Sequence, residues 1–326
     1  MTEFETLAHS GFVSFVGRPN AGKSTLTNAL VGAKVAIMSS KPQTTRHVIR
    51  GIVNRKDAQL VIIDTPGLHR PRTLLGERLN DLVYSTWSEV DVIGVCLPSN
   101  EHIGPGDRYL IREILSTPGK RKMVALSTKA DLVSPKRMAE HLLEIQALET
   151  EFDGSDPSVA VGAKGKTKKL HWAEIIPVSA LTGEQVDVVA DELIKLLPEG
   201  PRFFPGDEPT DEPLETQISE LIREAALEGV RDELPHSITV VIDEMKDREG
   251  RPKNKPLLDI FASLVVERDS QKGIIIGHKG ERLKEIGANA REQIKGLVGY
   301  PVYLSLHVKV MKDWQRDPKA LNRLGF

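Results

Sequence analysis

The sequence predicts an α/β domain, a mostly parallel sheet with helices on both faces, followed by a smaller α+β domain. Three observations carry that prediction. In the first half, short apolar runs alternate with amphipathic segments. Strands of a parallel sheet are buried on both faces and read as continuous apolar runs, with helices on the crossovers. Leu197–Glu215 then holds five prolines and six acidic residues, which bars helix continuation and marks a linker. Beyond it the order becomes helix, strand, strand, helix, helix, strand.

Phe12–Val16, Leu60–Ile63, Val90–Leu97, Met123–Leu126 and Ile175–Val178 are the runs expected as strands. Lys23–Val31, Leu75–Trp87, Arg108–Leu115, Pro135–Leu148 and Gln185–Leu197 have the spacing of helices. Val48–Asn54 and Gln59–Ile63 flank Arg55–Ala58, the pattern of a hairpin adding one antiparallel edge. Between Phe152 and His171, Gly154–Pro157 and Gly162–Lys169 are small, cationic and free of aromatics, as expected of a mobile surface insertion. Its lysines are open to solvent, RNA or anionic lipid. After the linker come a helix (Gln217–Leu227), strands (Ser237–Glu244, Leu257–Glu267), two helices around Gly277–Gly280, a strand (Val302–Val310) and a terminal helical stretch. The expected division is residues 1–198, a linker over 199–215, and 216–326.

The 326 residues fit two domains of ordinary size. A formal net charge of −2 excludes a uniformly basic nucleic-acid binder, but the charge is uneven: Gln271–Phe326 carries 11 Lys+Arg and 5 Asp+Glu, a local +6. A basic end on an acidic body suggests a local polyanion site. Cys96 is the single cysteine, and no cationic-then-apolar leader occupies Met1–Ser10, so a reducing cytoplasmic location is expected. No apolar run approaches the roughly 18–20 residues of a membrane span. The nine histidines lack the spacing of zinc ligands.

Gly17-Arg18-Pro19-Asn20-Ala21-Gly22-Lys23-Ser24 has the form GxxxxGK[ST], directly after one expected strand and before an expected helix. In that context backbone N–H groups close around phosphate oxygens and the helix N-terminus favours negative charge. Lys23 would reach the β- and γ-phosphates and Ser24 would ligate Mg2+; Thr25 follows in the same segment. Asp64-Thr65-Pro66-Gly67 follows the Leu60–Ile63 strand. Asp64 at a strand end can hold Mg2+ through water, and the Gly67 N–H can meet the γ-phosphate.

Thr128-Lys129-Ala130-Asp131 ends the next strand. Asp131 can accept from guanine N1–H and its exocyclic amine, a donor pair that adenine lacks in that arrangement, so a wrong base leaves the carboxylate unpaired. Lys129 would lie over the base and brace the phosphate loop. Ser179-Ala180-Leu181 could supply a backbone N–H to the guanine oxygen. A P-loop metabolic kinase is the rival reading of the phosphate site; it predicts a second substrate pocket and no base-specific Asp131. A third is an RNA chaperone with a decayed nucleotide site, against which the complete Gly17–Ser24 and Asp64–Gly67 motifs stand.

With these segments in this order, the chain resembles the Era family of GTPases, among the P-loop GTPases of bacterial ribosome assembly. Gln43-Thr44-Thr45-Arg46-His47 and Asp64-Thr65-Pro66-Gly67-Leu68-His69 look like that family's switch segments. The resemblance spans nearly the whole chain. It implies a P-loop GTPase domain joined to a type II KH-like domain, GTP/GDP with Mg2+ as ligands, and slow GTP hydrolysis. It also implies action at the 3′ end of 16S ribosomal RNA during small (30S) subunit maturation, by a monomer with peripheral membrane contact. Nothing in the sequence resembles an amphipathic anchor. Thr45 is the expected switch Mg2+ ligand, with Thr44 the close rival. Leu68 stands where Ras-like enzymes carry the water-positioning Gln; it either packs under the switch or leaves the water to another group such as His69. Asn20 resembles a residue that helps hold K+ in related GTPases. Thr128 is a departure, since the family usually has Asn there. A hydroxyl cannot reproduce both the donor and acceptor geometry of an amide, which implies weaker guanine affinity with the preference retained at Asp131.

Gly277-His278-Lys279-Gly280 sits between two helical stretches, in the order of a bacterial-type KH domain. A GXXG loop approaches a sugar–phosphate backbone closely, and Lys279, Arg282 and Lys284 add charge for phosphates. Ile274–Ile276 is expected as core. Trp314 and Tyr303 are open to base stacking or to packing.

Overall fold

The computed structural model describes residues 6–38, 45–68, 71–155, 168–230, 234–252 and 254–326. The lysine-rich insertion therefore lies outside the described residues over 156–167, as do Thr44 and His69. The chain divides into two units, one drawn from 1–36, 45–70 and 79–211, the other from 37–44, 71–78 and 212–326.

To residue 211 the elements are β1 (Thr6–Leu7), β2 (His9–Val16), α1 (Lys23–Val31), β3 (Ile49–Asn54), β4 (Ala58–Asp64), α2 (Leu74–Glu89), β5 (Val92–Pro98), α3 (Pro105–Ser116), β6 (Lys122–Thr128), α4 (Pro135–Glu151), β7 (Trp172–Pro177), α5 (Val186–Leu196) and β8 (Gly200–Pro201). Six strands form one sheet in the order β3-β4-β2-β5-β6-β7. All neighbours are parallel except β3, which pairs antiparallel with β4 as the hairpin pattern predicts. Val13, Phe15, Leu60, Ile62, Val124 and Leu126 are buried on the side of α1 and α5. Ile93, Val95, Leu97 and Ala125 pack with Val83 and Trp87 of α2, Ile111 of α3 and Ile145 of α4. Apolar contacts on both faces explain why these strands read as continuous runs. Since β2, β4, β6 and β7 are parallel, the loops leaving their carboxyl ends emerge at one edge of the sheet.

The proline-rich segment packs onto this unit as far as Asp211. Prolines lack donors but their carbonyls accept: Pro198 O from Ser10 N–H at 2.8 Å, Pro201 O from Ser10 Oγ at 2.7 Å, and Pro209 O from Ile52 N–H at 2.8 Å. The fully buried Gln59 amide accepts from the Phe203 and Phe204 N–H groups and donates to Phe204 O.

The second unit contains α6 (Leu214–Leu227), α7 (Leu234–Ser237), β9 (Thr239–Asp247), β10 (Leu258–Val266), α8 (Asp269–Ile276), α9 (Glu281–Val298), β11 (Val302–Val310) and α10 (Pro318–Arg323). Its sheet runs β11-β10-β9, with β10 parallel to β11 and antiparallel to β9. Alternate β10 residues Ile260, Ala262, Leu264 and Val266 join Ile218 and Ile222 of α6 and Ile286, Ala290 and Ile294 of α9 in one core. One expectation is corrected and one open choice is decided. Ile275 is core, but Ile274 is 53% exposed, because successive helical positions turn through about 100° and cannot all face inward. Trp314 is fully buried, donates through Nε1 to Ser237 O and stacks on Phe326, so packing has claimed the ring and base stacking is excluded for it.

Candidate functional site

The phosphate loop is held from below and from the side. A Cβ on Gly17 would stand 2.7 Å from the Cys96 carbonyl, so the loop can follow this path over β5 only with glycine. Arg18 anchors the outer arm, donating through Nε to Asp107 at 2.8 Å and through Nη2 to Glu101 at 2.9 Å. Asp107 also accepts from Gly104 N–H at 2.8 Å, closing the start of α3. Asn20 adopts a left-handed conformation with φ 63°. Gly22 precedes α1, which begins with Lys23, Ser24 and Thr25.

Lys23 is half-buried, its amine donating to the loop's own carbonyls, Gly17 O at 2.9 Å and Arg18 O at 3.1 Å. Burial holds its pKa below the ordinary lysine value, against the opposing pull of Asp64. Desolvation likewise raises Asp64, opposed by Lys23 and by two hydroxyls, and pushes the buried Cys96 thiol up to about 12. Ser24 Oγ donates to Asp64 Oδ2 at 2.9 Å and Thr45 Oγ1 to the same oxygen at 3.3 Å. Asp64 Oδ1 is buried without a hydrogen-bond partner among the described residues. An orphaned carboxylate oxygen beside two hydroxyls is an all-oxygen donor set that fits a hard divalent cation such as Mg2+. Among the described residues no cluster of three His, Cys, Asp or Glu could hold a metal. A cation here would therefore rely on this single carboxylate, the hydroxyls, phosphate and water.

At the end of β6, Thr128 Oγ1 donates to Ala21 O at 2.7 Å. That bond braces the phosphate loop, the part expected of Lys129. Lys129 itself is left-handed with φ 58°, its carbonyl accepts from Ser99 Oγ at 2.9 Å, and its amine stands 3.9 Å from Glu101. No hydrogen bond from its amine to the phosphate loop exists among the described residues. Ser179 Oγ donates to Asp131 Oδ1 at 2.5 Å, and Thr182 N–H donates back to Ser179 Oγ at 3.2 Å. The carboxylate is thus held through Oδ1, and among the described residues its other oxygen has no hydrogen bond. Ser179 N–H is spent on Glu184 O at 3.1 Å, so a carbonyl oxygen of the base would have to meet Ala180 or Leu181. Thr65, Pro66 and Gly67 follow β4 directly, and Leu68 is half-buried against the α2 and α3 side of the core.

Glu101 and Asp107 carry no motif that marks them, lying 83 and 89 residues from Arg18. The legible signal was local: Gly104-Pro105-Gly106-Asp107 has Pro at the first helical turn and an acidic N-terminal cap.

In the second unit, Gly277 has φ 72° and a Cβ there would come within 2.6 Å of Arg282 Cβ. His278 and Lys279 are exposed, as is Lys284 on the first turn of α9. Arg282 is drawn elsewhere: its Nη2 donates to Glu228 O at 2.6 Å, past the end of α6, and its Nε is buried. Tyr303 is 46% exposed, edge-on to Phe261 and beneath the Arg248 guanidinium.

The profile of a family described as 50S ribosome-binding GTPase matches residues 12–129, and that of the KH domain matches 233–315. The chain is 63% identical to the GTPase Era of a Nocardioides species over 97% of its length and 96% of that protein. It is 61% identical to that of Streptomyces coelicolor, over 99% and 96%. Two solved Era structures superpose at TM-score 0.85 and 36% identity. One, from Aquifex aeolicus, is bound to GDP·AlF4− and is covered to 99% by 97% of this chain. The other, in complex with MgGDPNP and nucleotides 1506–1542 of 16S ribosomal RNA, is covered to 98% by the same share. The chain is a member of the Era family of GTPases, a P-loop GTPase domain followed by a KH domain.

Proposed function

We propose that this chain binds GTP with Mg2+, hydrolyses it to GDP and phosphate, and binds the 3′ region of 16S ribosomal RNA through the Gly277–Gly280 loop, acting in maturation of the small ribosomal subunit. The convergence of Ser24 and Thr45 on Asp64, beside half-buried Lys23 and at the same sheet edge as Asp131, carries the reading. Lys23 meets the β- and γ-phosphates. Ser24, Thr45 and Asp64 hold Mg2+, whose charge would offset that of the phosphates. Gly67 N–H faces the γ-phosphate, and Asp131 reads guanine while Thr128 holds the loop beneath it. The residues 17–25, 64–67, 128, 129, 131 and 179–181 form the nucleotide set. His278, Lys279 and Lys284 supply the phosphate-facing charge of the RNA site; Arg282, committed to Glu228 O, supports the loop from behind. The 16S specificity is supported by the RNA-bound Era structure at 36% identity.

K+ stimulation is part of the proposal and rests on Asn20; hydrolysis compared in K+ and Na+ checks it. Monomeric state and peripheral membrane contact stay with the family resemblance, and the geometry adds to neither. Among the described residues no helix is long and apolar enough to cross a membrane.

The test is the double substitution His278→Asp with Lys279→Asp in the full chain. Two carboxylates would face RNA phosphates, while exposed loop positions leave the fold intact. Loss of binding to a 3′-terminal 16S oligonucleotide with GTP affinity unchanged is expected. Unaltered RNA affinity at moderate salt would overturn the assignment.

A further inference from the structure

At the opposite edge of the first unit's sheet, where β6 and β7 begin and α3 ends, lies a cleft of about 540 Å3. Six basic side chains line it: Lys120, Arg121, Lys122, Lys168, Lys169 and His171, and no acidic residue does. Part of this cluster has a local explanation. Arg121 and Lys168 both donate to Thr117 O beyond the last turn of α3, and Lys122 donates to Leu196 O at 2.7 Å, so three cations sit against carbonyls near the negative ends of helices. That leaves two facts over. Lys168 is depressed by burial and further by Arg121, so two like charges share one helix end where a single cap would do. Lys120, Lys169 and His171 do not serve as caps, and all three are exposed. The carboxylates that approach are Glu149, 3.1 Å from His171, and Asp153, which feels Lys169.

We infer that this cleft is a second RNA contact, taking the phosphate backbone of structured RNA rather than unpaired bases. The inference rests on the RNA-binding reading above. Its chemistry follows from the lining: concentrated positive charge attracts phosphates, and with no Phe, Tyr or Trp in it and the His171 ring held by Glu149, base stacking is not its main contact. RNA is favoured over an anionic membrane because the apolar lining residues Ile114, Leu115 and Met123 are buried, at 2%, 4% and 5% exposure, and offer nothing to insert among acyl chains.

The test uses the full chain with K120E/K169E, both exposed and outside the nucleotide site, against three probes. These are the 3′-terminal 16S oligonucleotide, a plain RNA duplex, and vesicles of mixed neutral and anionic lipid. The oligonucleotide should bind K120E/K169E as it binds the parent. Duplex affinity should fall about tenfold or more near 0.1 M salt, and the slope of log K against log salt should flatten by about 2, near 0.9 for each lost phosphate contact. Equal duplex affinity and slope in parent and variant would overturn the inference. So would charge-dependent vesicle binding lost in the variant with duplex binding unchanged. If the parent fails to bind the oligonucleotide, the loop reading falls, and the duplex comparison still decides the cleft.

Discussion

Thr128 donates its single hydroxyl hydrogen to Ala21 O at 2.7 Å, tying the loop that leaves β6 to the phosphate loop. With that hydrogen committed, Thr128 has only lone pairs to show a bound base and cannot donate to a ring nitrogen. The hydroxyl at this position, where the family usually has Asn, thus makes a bracing contact of its own.

Thr128→Val, which preserves shape and removes the donor, should weaken GDP and GTP alike. Leaving a buried carbonyl unpaired costs about 1–3 kcal/mol, so affinity should drop roughly 5- to 150-fold, with guanine preference over adenine kept. Titration of GDP, GTP and ADP against parent and variant checks this. An equal affinity would mean the bond contributes nothing to the loop.

Protonation gives a second expectation, with the sign set by burial. Burial lowers the Lys23 pKa in the free chain, and a bound triphosphate raises it again. The complex therefore holds more protons than the free chain at alkaline pH, and triphosphate affinity should decline as pH rises through the lowered Lys23 value. Asp64 works in the other direction. Its pKa is raised by burial, and a cation needs the carboxylate, so the Mg2+-dependent gain in affinity should fade as pH drops through that raised value. Isothermal titration across pH, with and without Mg2+, reads both limbs. A flat profile on both would refute the burial argument.

Leu68 packs half-buried against the core and has no polar atom to orient water. Leu68→Ala should cost about 1–2 kcal/mol of stability, at the low end for a truncated apolar contact, and leave the slow basal turnover within about twofold. A large fall in turnover with thermal stability unchanged would give Leu68 a part in the chemistry.

Gly277 and Gly280 should respond differently to alanine. Both have positive φ, 72° and 83°, but only Gly277 has Arg282 Cβ within 2.6 Å of a would-be Cβ, whereas nothing stands within 4 Å at Gly280. Gly280→Ala should cost about 1 kcal/mol for its left-handed backbone. Gly277→Ala adds a clash that no flexible side-chain end can relieve, for about 1–3 kcal/mol more. Thermal unfolding of the two variants compares them directly; equal midpoints would contradict the close-approach account.

Much of this was legible in the sequence because both-face burial turns strands into apolar runs and because phosphate chemistry demands fixed spacings. β2, β4, β5 and β6 were readable from their residues, and so was the antiparallel edge β3. Long-range polar contacts were not. Arg18 finds Asp107 and Glu101 only after the chain folds β5 and α3 beside the loop. The proline-rich stretch read as a linker because proline lacks donors and bars a helix, yet its carbonyls are acceptors for Ser10 and Ile52. Trp314 and Arg282 were open in the sequence for a related reason: a ring or a guanidinium can serve binding or packing alike, and only the fold shows the buried ring and the Glu228 carbonyl that engages Arg282.

Base choice tests the central claim most directly. Ser179 donates to one oxygen of Asp131 at 2.5 Å, and the proposed function gives that carboxylate the guanine edge to accept from. Competition of GTP and ATP for the full chain, before and after Asp131→Ala, should show strong guanine preference in the parent. The variant should lose about 100-fold or more of it, since each hydrogen bond to a charged group contributes about 1.5–3 kcal/mol. Triphosphate binding through Lys23 should persist weakly in the variant. An Asp131→Ala chain that still prefers GTP as strongly as the parent would contradict the account.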